Sequence, residues 1–139
     1  MSIRIALTAC AAAALASGLL VAPAEAGRSA GTTLETRLRP SGDADGHGDA
    51  VLRLNANRGR VCATITWENI QAPQAAHIHK QSNGDIVVDL STAVTGGKHC
   101  TSGVSSALIS TITAHPRRYY VNVHNATYPA GAIQGTIHR

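Results

Sequence analysis

The chain has 139 residues, with 12 Lys and Arg against 8 Asp and Glu, a formal net charge of +4, seven His and three Cys. It contains no Phe and a single Trp, so a core has to be built from Val, Ile, Leu and Ala. The basic excess is mild and scattered, with no basic run beside an aromatic platform. That argues against a nucleic-acid partner and leaves only an unspecific attraction to anionic cell-surface polymers.

The first residues read as a targeting segment. Arg4 supplies the charged start, Ile5 to Val21 an apolar and small-residue run, and Ala24-Glu25-Ala26 an A-x-A cleavage pattern. Residues 1–26 are therefore expected to be a secretory signal peptide, and residues 27–32 a small, polar, flexible tail. Arg4 and Glu25 would leave together, so the net charge is unchanged by cleavage. The expected location is secreted, extracellular or in the cell envelope, with no stable membrane span once the signal is gone. Two alternatives compete. The apolar run is nearly long enough to be retained as an anchor, although Pro23 and the cleavage pattern follow it directly. Leu7-Thr8-Ala9-Cys10 resembles a bacterial lipobox that would lipidate Cys10, but the apolar stretch before it is shorter than the about 7–15 residues a signal core needs.

Loss of Cys10 leaves two cysteines, Cys62 and Cys100. In an oxidising compartment such a pair is expected to form a disulfide. The loop from Cys62 to Cys100 is long enough for the chain-entropy model to give about 4 kcal/mol. The competing reading, two metal-binding thiolates, lacks the close C-x-x-C spacing of a zinc knuckle.

Residues 33–139 read as one β domain. Thr33 to Arg39 alternates as a strand, stopped by Pro40, and Ser41 to Gly48 is a Gly- and Asp-rich loop. Ala50 to Asn55 and Val61 to Trp67 form a hairpin across Asn57-Arg58-Gly59. Val61, Ala63, Ile65 and Trp67 share one face, which puts Cys62 on the other. A bridge from there ties the strand to an overlying loop instead of crossing the core. Ala75 to Lys80 is a strand, Gln81-Ser82-Asn83-Gly84 a turn, and Ile86 to Leu90 the next strand. Thr95-Gly96-Gly97 breaks the chain. Ser105 to Ala114 is the one stretch that reads as a helix, with Leu108 and Ile112 four apart, ended by Pro116. Tyr119 to His124 is a strand, Tyr128-Pro129-Ala130-Gly131 a turn, and Ala132 to Ile137 the closing strand, with Ile133 and Ile137 inward. Short strands at this spacing predict an all-β fold, an antiparallel immunoglobulin-like sandwich or barrel with one short helix.

Residues two apart in a strand share a face. His77 and His79 therefore project together, opposite Ile78, and His124 projects opposite Val121 and Val123. One reading is a solvated or hydrogen-bonded sheet face of His, Tyr and Asn. The other is a copper or zinc site, since imidazole suits both ions and two such residues on one strand can converge on one ion. His77, His79 and His124 are the candidate ligands, with His99, His47 or Asp89 to complete the set. Asp43, Asp45 and Asp49 lie in a Gly-rich loop, but without EF-hand spacing. No G-x-S-x-G elbow is present, and no catalytic residue is assigned. Asn125-Ala126-Thr127 fits a glycosylation sequon.

Four motifs occur in a distinctive order: Ala76-His77-Ile78-His79, Val87-Val88-Asp89-Leu90, Tyr119-Tyr120-Val121-Asn122-Val123-His124 and Tyr128-Pro129-Ala130-Gly131-Ala132-Ile133-Gln134-Gly135. In that order the chain resembles the CHRD domain, the module named for its repeats in chordin, in a single-domain secreted bacterial form. The resemblance implies an all-β, immunoglobulin-like exported domain. It also implies an extracellular binding or structural role, with an extracellular protein or a cell-surface polymer as partner. It departs from the family pattern at Lys80-Gln81, where members carry Gly, and at Gln134, where Arg is frequent. The His-x-His strand is also similar to that of copper-zinc superoxide dismutase. Counterparts of that enzyme's bridging and zinc-loop ligands are missing, which argues against its activity.

Overall fold

Alternation of apolar and polar residues produces eight antiparallel strands in the computed structural model, which describes residues 31–96 and 99–139. They are β1 (Thr32–Pro40), β2 (His47–Asn55), β3 (Arg60–Glu68), β4 (Ala75–Lys80), β5 (Ile86–Asp89), β6 (His99–Ser102), β7 (Tyr119–His124) and β8 (Ile133–Thr136). The signal-peptide reading of residues 1–26, the lipidation of Cys10 and the tail reading of 27–30 lie outside the described residues. Among the described residues, no helix is long and apolar enough to cross a membrane.

The strands form one sheet in the order β5-β4-β7-β8-β1-β2-β3-β6. β1 joins its two halves, pairing with β2 from Thr32 to Leu38 and with β8 at Arg39 and Pro40. The sheet curls until its outer strands meet, where Thr101 Oγ1 of β6 donates to the Asp89 carbonyl of β5. A single helical turn, α1 (Thr92–Thr95), lies against β3, β4 and β6 at this seam. The result is a nearly closed barrel. Leu34, Leu38, Leu52, Ile78, Val121 and Ile133 fill it and are wholly buried. Burying each such side chain contributes about 1.5–3 kcal/mol, and all belong to one continuous apolar cluster.

Several local expectations change. Pro40 does not stop β1 but ends it, paired with Ile133. A terminal strand position tolerates the missing N–H. β2 begins at His47, inside the stretch expected to be loop, because His47 and Gly48 pair with Glu68 and Trp67. The second helix, α2 (Ser106–Ala114), turns Ile109 and Ile112 inward and leaves Leu108 half-buried, so its inner face is spaced by three. Cys62 lies on the outer face as expected, but Cys100 sits in strand β6, directly opposite it, and not in an overlying loop. The Cys62–Cys100 disulfide joins these two neighbouring strands.

Candidate metal centre

β4 and β7 are neighbours, in a register that pairs Ala75 with His124, His77 with Asn122 and His79 with Tyr120. On the outer face of these two strands His77, His79 and His124 therefore come together. Alternation alone would leave all three in solvent. Two turns roof them instead, so His79 is only 7% exposed.

The turn after β4 brings the carbonyl of Gly84 to 2.8 Å from His79 Nδ1. Gly84 has φ 75°, the left-handed conformation that glycine adopts without steric cost. The turn after β7 brings the Pro129 carbonyl to 3.0 Å from His124 Nδ1, and Ala130 accepts from Asn122 Nδ2 at 3.1 Å. Gly131 covers Asn122 so closely that a Cβ would lie 2.3 Å from its amide oxygen. Asn125 pins the base of this turn. It is 2% exposed, donates to the Gln71 carbonyl and accepts from the Tyr128 N–H. The residue that fits a glycosylation sequon is thus a buried structural amide.

These bonds fix which nitrogens are left. A carbonyl accepts only, so His79 and His124 each hold their proton on Nδ1 and turn a bare Nε2 inward. His79 Nε2 is buried and without a hydrogen-bond partner among the described residues. His124 Nε2 lies 3.1 Å from His77 Nδ1. The three ring centroids are 5.0–5.8 Å apart, and Tyr120 stacks on His79 at 5.0 Å. One nitrogen from each histidine lies within 4.8 Å of the other two.

Burial pushes the His77 and His124 imidazoles below the ordinary value of 6.5. Repulsion from His124 and His79 adds to this at His77 and is opposed by Asp89; at His124 the Pro129 carbonyl opposes it and repulsion from His79 adds to it. Both rings are therefore neutral near pH 7, the state that offers a lone pair to a metal. Asp89 is the cross-strand partner of His77, with its carboxylate oxygen 3.9 Å from His77 Nε2. Hydrogen bonds from Ser91 hold this carboxyl below the usual carboxylate value, so it is ionised.

The other candidates lie elsewhere. His47 is held by Glu68 at 3.3 Å and by the Asp45 carbonyl, at the start of β2. His99 sits in β6 with its Nε2 against Gly96. Neither belongs to the group whose ligand atoms are close enough to share an ion. Tyr120 and Asn122 are additional members of the site that the sequence reading did not single out. Their signal was present, since they alternate with His124 on one face of β7.

A cluster of three imidazoles, roofed by two turns on a disulfide-tied antiparallel barrel, marks an all-β binding or structural domain. The chain belongs to the CHRD domain family, whose model matches residues 28–137. No curated protein and no solved structure matches it.

Proposed function

We propose that this CHRD domain is a secreted metal-binding protein that holds one copper or zinc ion through His77 Nδ1, His79 Nε2 and His124 Nε2. The observation that carries the reading is the pre-set tautomers. Two backbone carbonyls already orient His79 and His124 with their Nε2 atoms inward, that of His79 buried and without a hydrogen-bond partner among the described residues. Leaving a buried polar atom unsatisfied costs about 1–3 kcal/mol. Backbone carbonyls that orient ligand imidazoles are the usual outer partners of metal-bound histidine.

The spacing fits as well. Two nitrogens on one tetrahedral ion with bonds of about 2.0–2.1 Å sit roughly 3.3–3.4 Å apart. His77 Nδ1 and His124 Nε2 are at 3.1 Å, and a modest swing of His79 completes the set. Without an ion, His77 Nδ1–H donates to His124 Nε2. For His77 Nδ1 to become a ligand, its proton moves to Nε2, which faces the Asp89 carboxylate. Asp89 is thus a positioning residue for His77, and His47 and His99 play no part.

Titration of the purified protein with Zn(II) and Cu(II), followed by calorimetry and metal analysis, tests the reading. The expected result is one ion per chain, with affinity falling at least about tenfold in His79→Ala and unchanged in His47→Ala. Binding that is absent, or equal in His79→Ala, would leave the three histidines as hydrogen-bonded architecture.

A further inference from the structure

The outer face that carries the histidines continues sideways across β8 and β1, where it sinks into an open trough of about 610 Å³. Arg37 and Arg39 line it from β1, Gln134 and Thr136 from β8, and Gln81 and His138 line it as well. Two further hollows adjoin it. One shares His138 and adds Arg117, Arg118 and Arg139, and the other shares Gln81 and adds Lys80. None of the three is lined by an Asp or Glu. The acids beside them are Asp49, directly opposite Arg37 in the β1–β2 pairing, Glu35, whose backbone bridges to His138, and Asp85, 3.9 Å from Lys80. Among the described residues Arg37, Arg39, Arg117 and Arg118 enter no ion pair. The fold thus gathers six of the basic residues, Arg37, Arg39, Lys80, Arg117, Arg118 and Arg139, into one band of adjoining hollows.

We propose that this band is a binding site for a linear acidic polysaccharide, with Arg37 and Arg39 as its centre. Guanidinium forks match planar carboxylates and sulfates in paired hydrogen bonds. Arg37 and Arg39 are two residues apart on one strand, so their stems stand about 7 Å apart on the same face. That places two forks for successive anionic groups along one chain. The amides of Gln81 and Gln134 and the hydroxyl of Thr136 supply the neutral donors and acceptors that sugar hydroxyls need. A single-stranded nucleic acid would need a series of stacking rings. The trough offers only Tyr120, whose face is already stacked on His79.

The test measures binding of the full protein to polygalacturonate and dextran sulfate, with neutral dextran and oligo(dT) alongside, at two salt concentrations. The expected result is binding to the two acidic polysaccharides that weakens with salt, no binding to neutral dextran, and weaker binding to oligo(dT). R37Q/R39Q is expected to lose about tenfold or more in affinity. R53Q/R58Q, which removes the same charge outside the band, should stay within about twofold. All four arginines are exposed, so thermal melts of both variants should match the parent. Equal losses in the two variants would show attraction to net charge alone and overturn the site. Absence of polysaccharide binding would overturn it, and oligo(dT) binding as tight as the polysaccharides' would reassign the band to nucleic acid.

Discussion

Replacing both Cys62 and Cys100 with Ala removes the one covalent link between β3 and β6. The two residues are 38 apart in sequence, and the chain-entropy expression for a loop of that size gives about 4 kcal/mol at 25 °C. Little else holds β6. It is four residues long and paired with β3 at Arg60, Val61, Cys62 and Ala63, with Thr101 Oγ1 reaching Asp89 on the far side. A domain of this size has a total stability of about 5–15 kcal/mol, so the loss is a large fraction of it. At about 4 °C per kcal/mol for a chain near the upper end of the small-domain range, the midpoint should fall by about 15 °C. Urea denaturation with a fluorescence readout from Trp67 measures this directly. Trp67 is in β3 and packs against the core, so it reports global unfolding, not fraying of β6. Stability within about 1 kcal/mol of the parent at an unchanged m-value would refute the reasoning. It would mean that the unfolded chain is already constrained, or that the bridge strains the native state by as much as it restrains the unfolded one.

Four further outcomes are expected. Zn(II) or Cu(II) at about 100 times its dissociation constant should stabilise the fold by about 2.7 kcal/mol, read as a rise in melting temperature that His79→Ala cuts to about half or less at the same metal concentration. Asp89→Asn should weaken metal affinity by about 10–100-fold while leaving the apo melting temperature nearly unchanged, as calorimetry would show. His77 and His124 have folded values below 6.5, so the unfolded chain takes up protons first as the pH falls. Stability is therefore full above about 6.5 and declines below it until the folded values are passed; melting curves from pH 8 to pH 5 should show this, and a His77→Gln/His124→Gln variant should flatten it. Gly131→Ala combines φ 130° with a collision on Asn122. It should cost about 1–3 kcal/mol and raise hydrogen exchange in the turn over His124.

The strands that carry the site were the most legible part of the sequence. β4 and β7 run from Ala75 to Lys80 and from Tyr119 to His124, as their alternation indicates, because each has one apolar face and one His-bearing face. The convergence of His77, His79 and His124 needed only that these strands be adjacent. What local pattern could not supply was pairing at a distance. Asp89 meets His77, and Cys100 meets Cys62, through registers that depend on the whole barrel. Composition misled at His47-Gly48-Asp49, where Gly and Asp suggest a loop. Gly48 is in fact needed inside β2, since a Cβ there would lie 2.1 Å from the Thr66 carbonyl. α1 was invisible because a single turn carries no periodicity. The burial of His79 was hidden for a related reason: the turns that roof it come from 81–85 and 125–131, and alternation describes only the strands.

The seam between β5 and β6 bears on how the molecule behaves in a crowd. A sheet with free edges invites a stranger's backbone to add itself as a further strand. Here the outermost strands are four residues each and lean toward one another, with α1 lying against the gap and one hydroxyl spanning it. Each edge acts as the other's shield. An intruding strand would first have to prise the seam apart, and the disulfide keeps β6 from swinging out to let it in. Losing that bridge would therefore do more than lower a melting point. It would expose two short templates for self-association, and aggregation at high concentration would be the first visible sign.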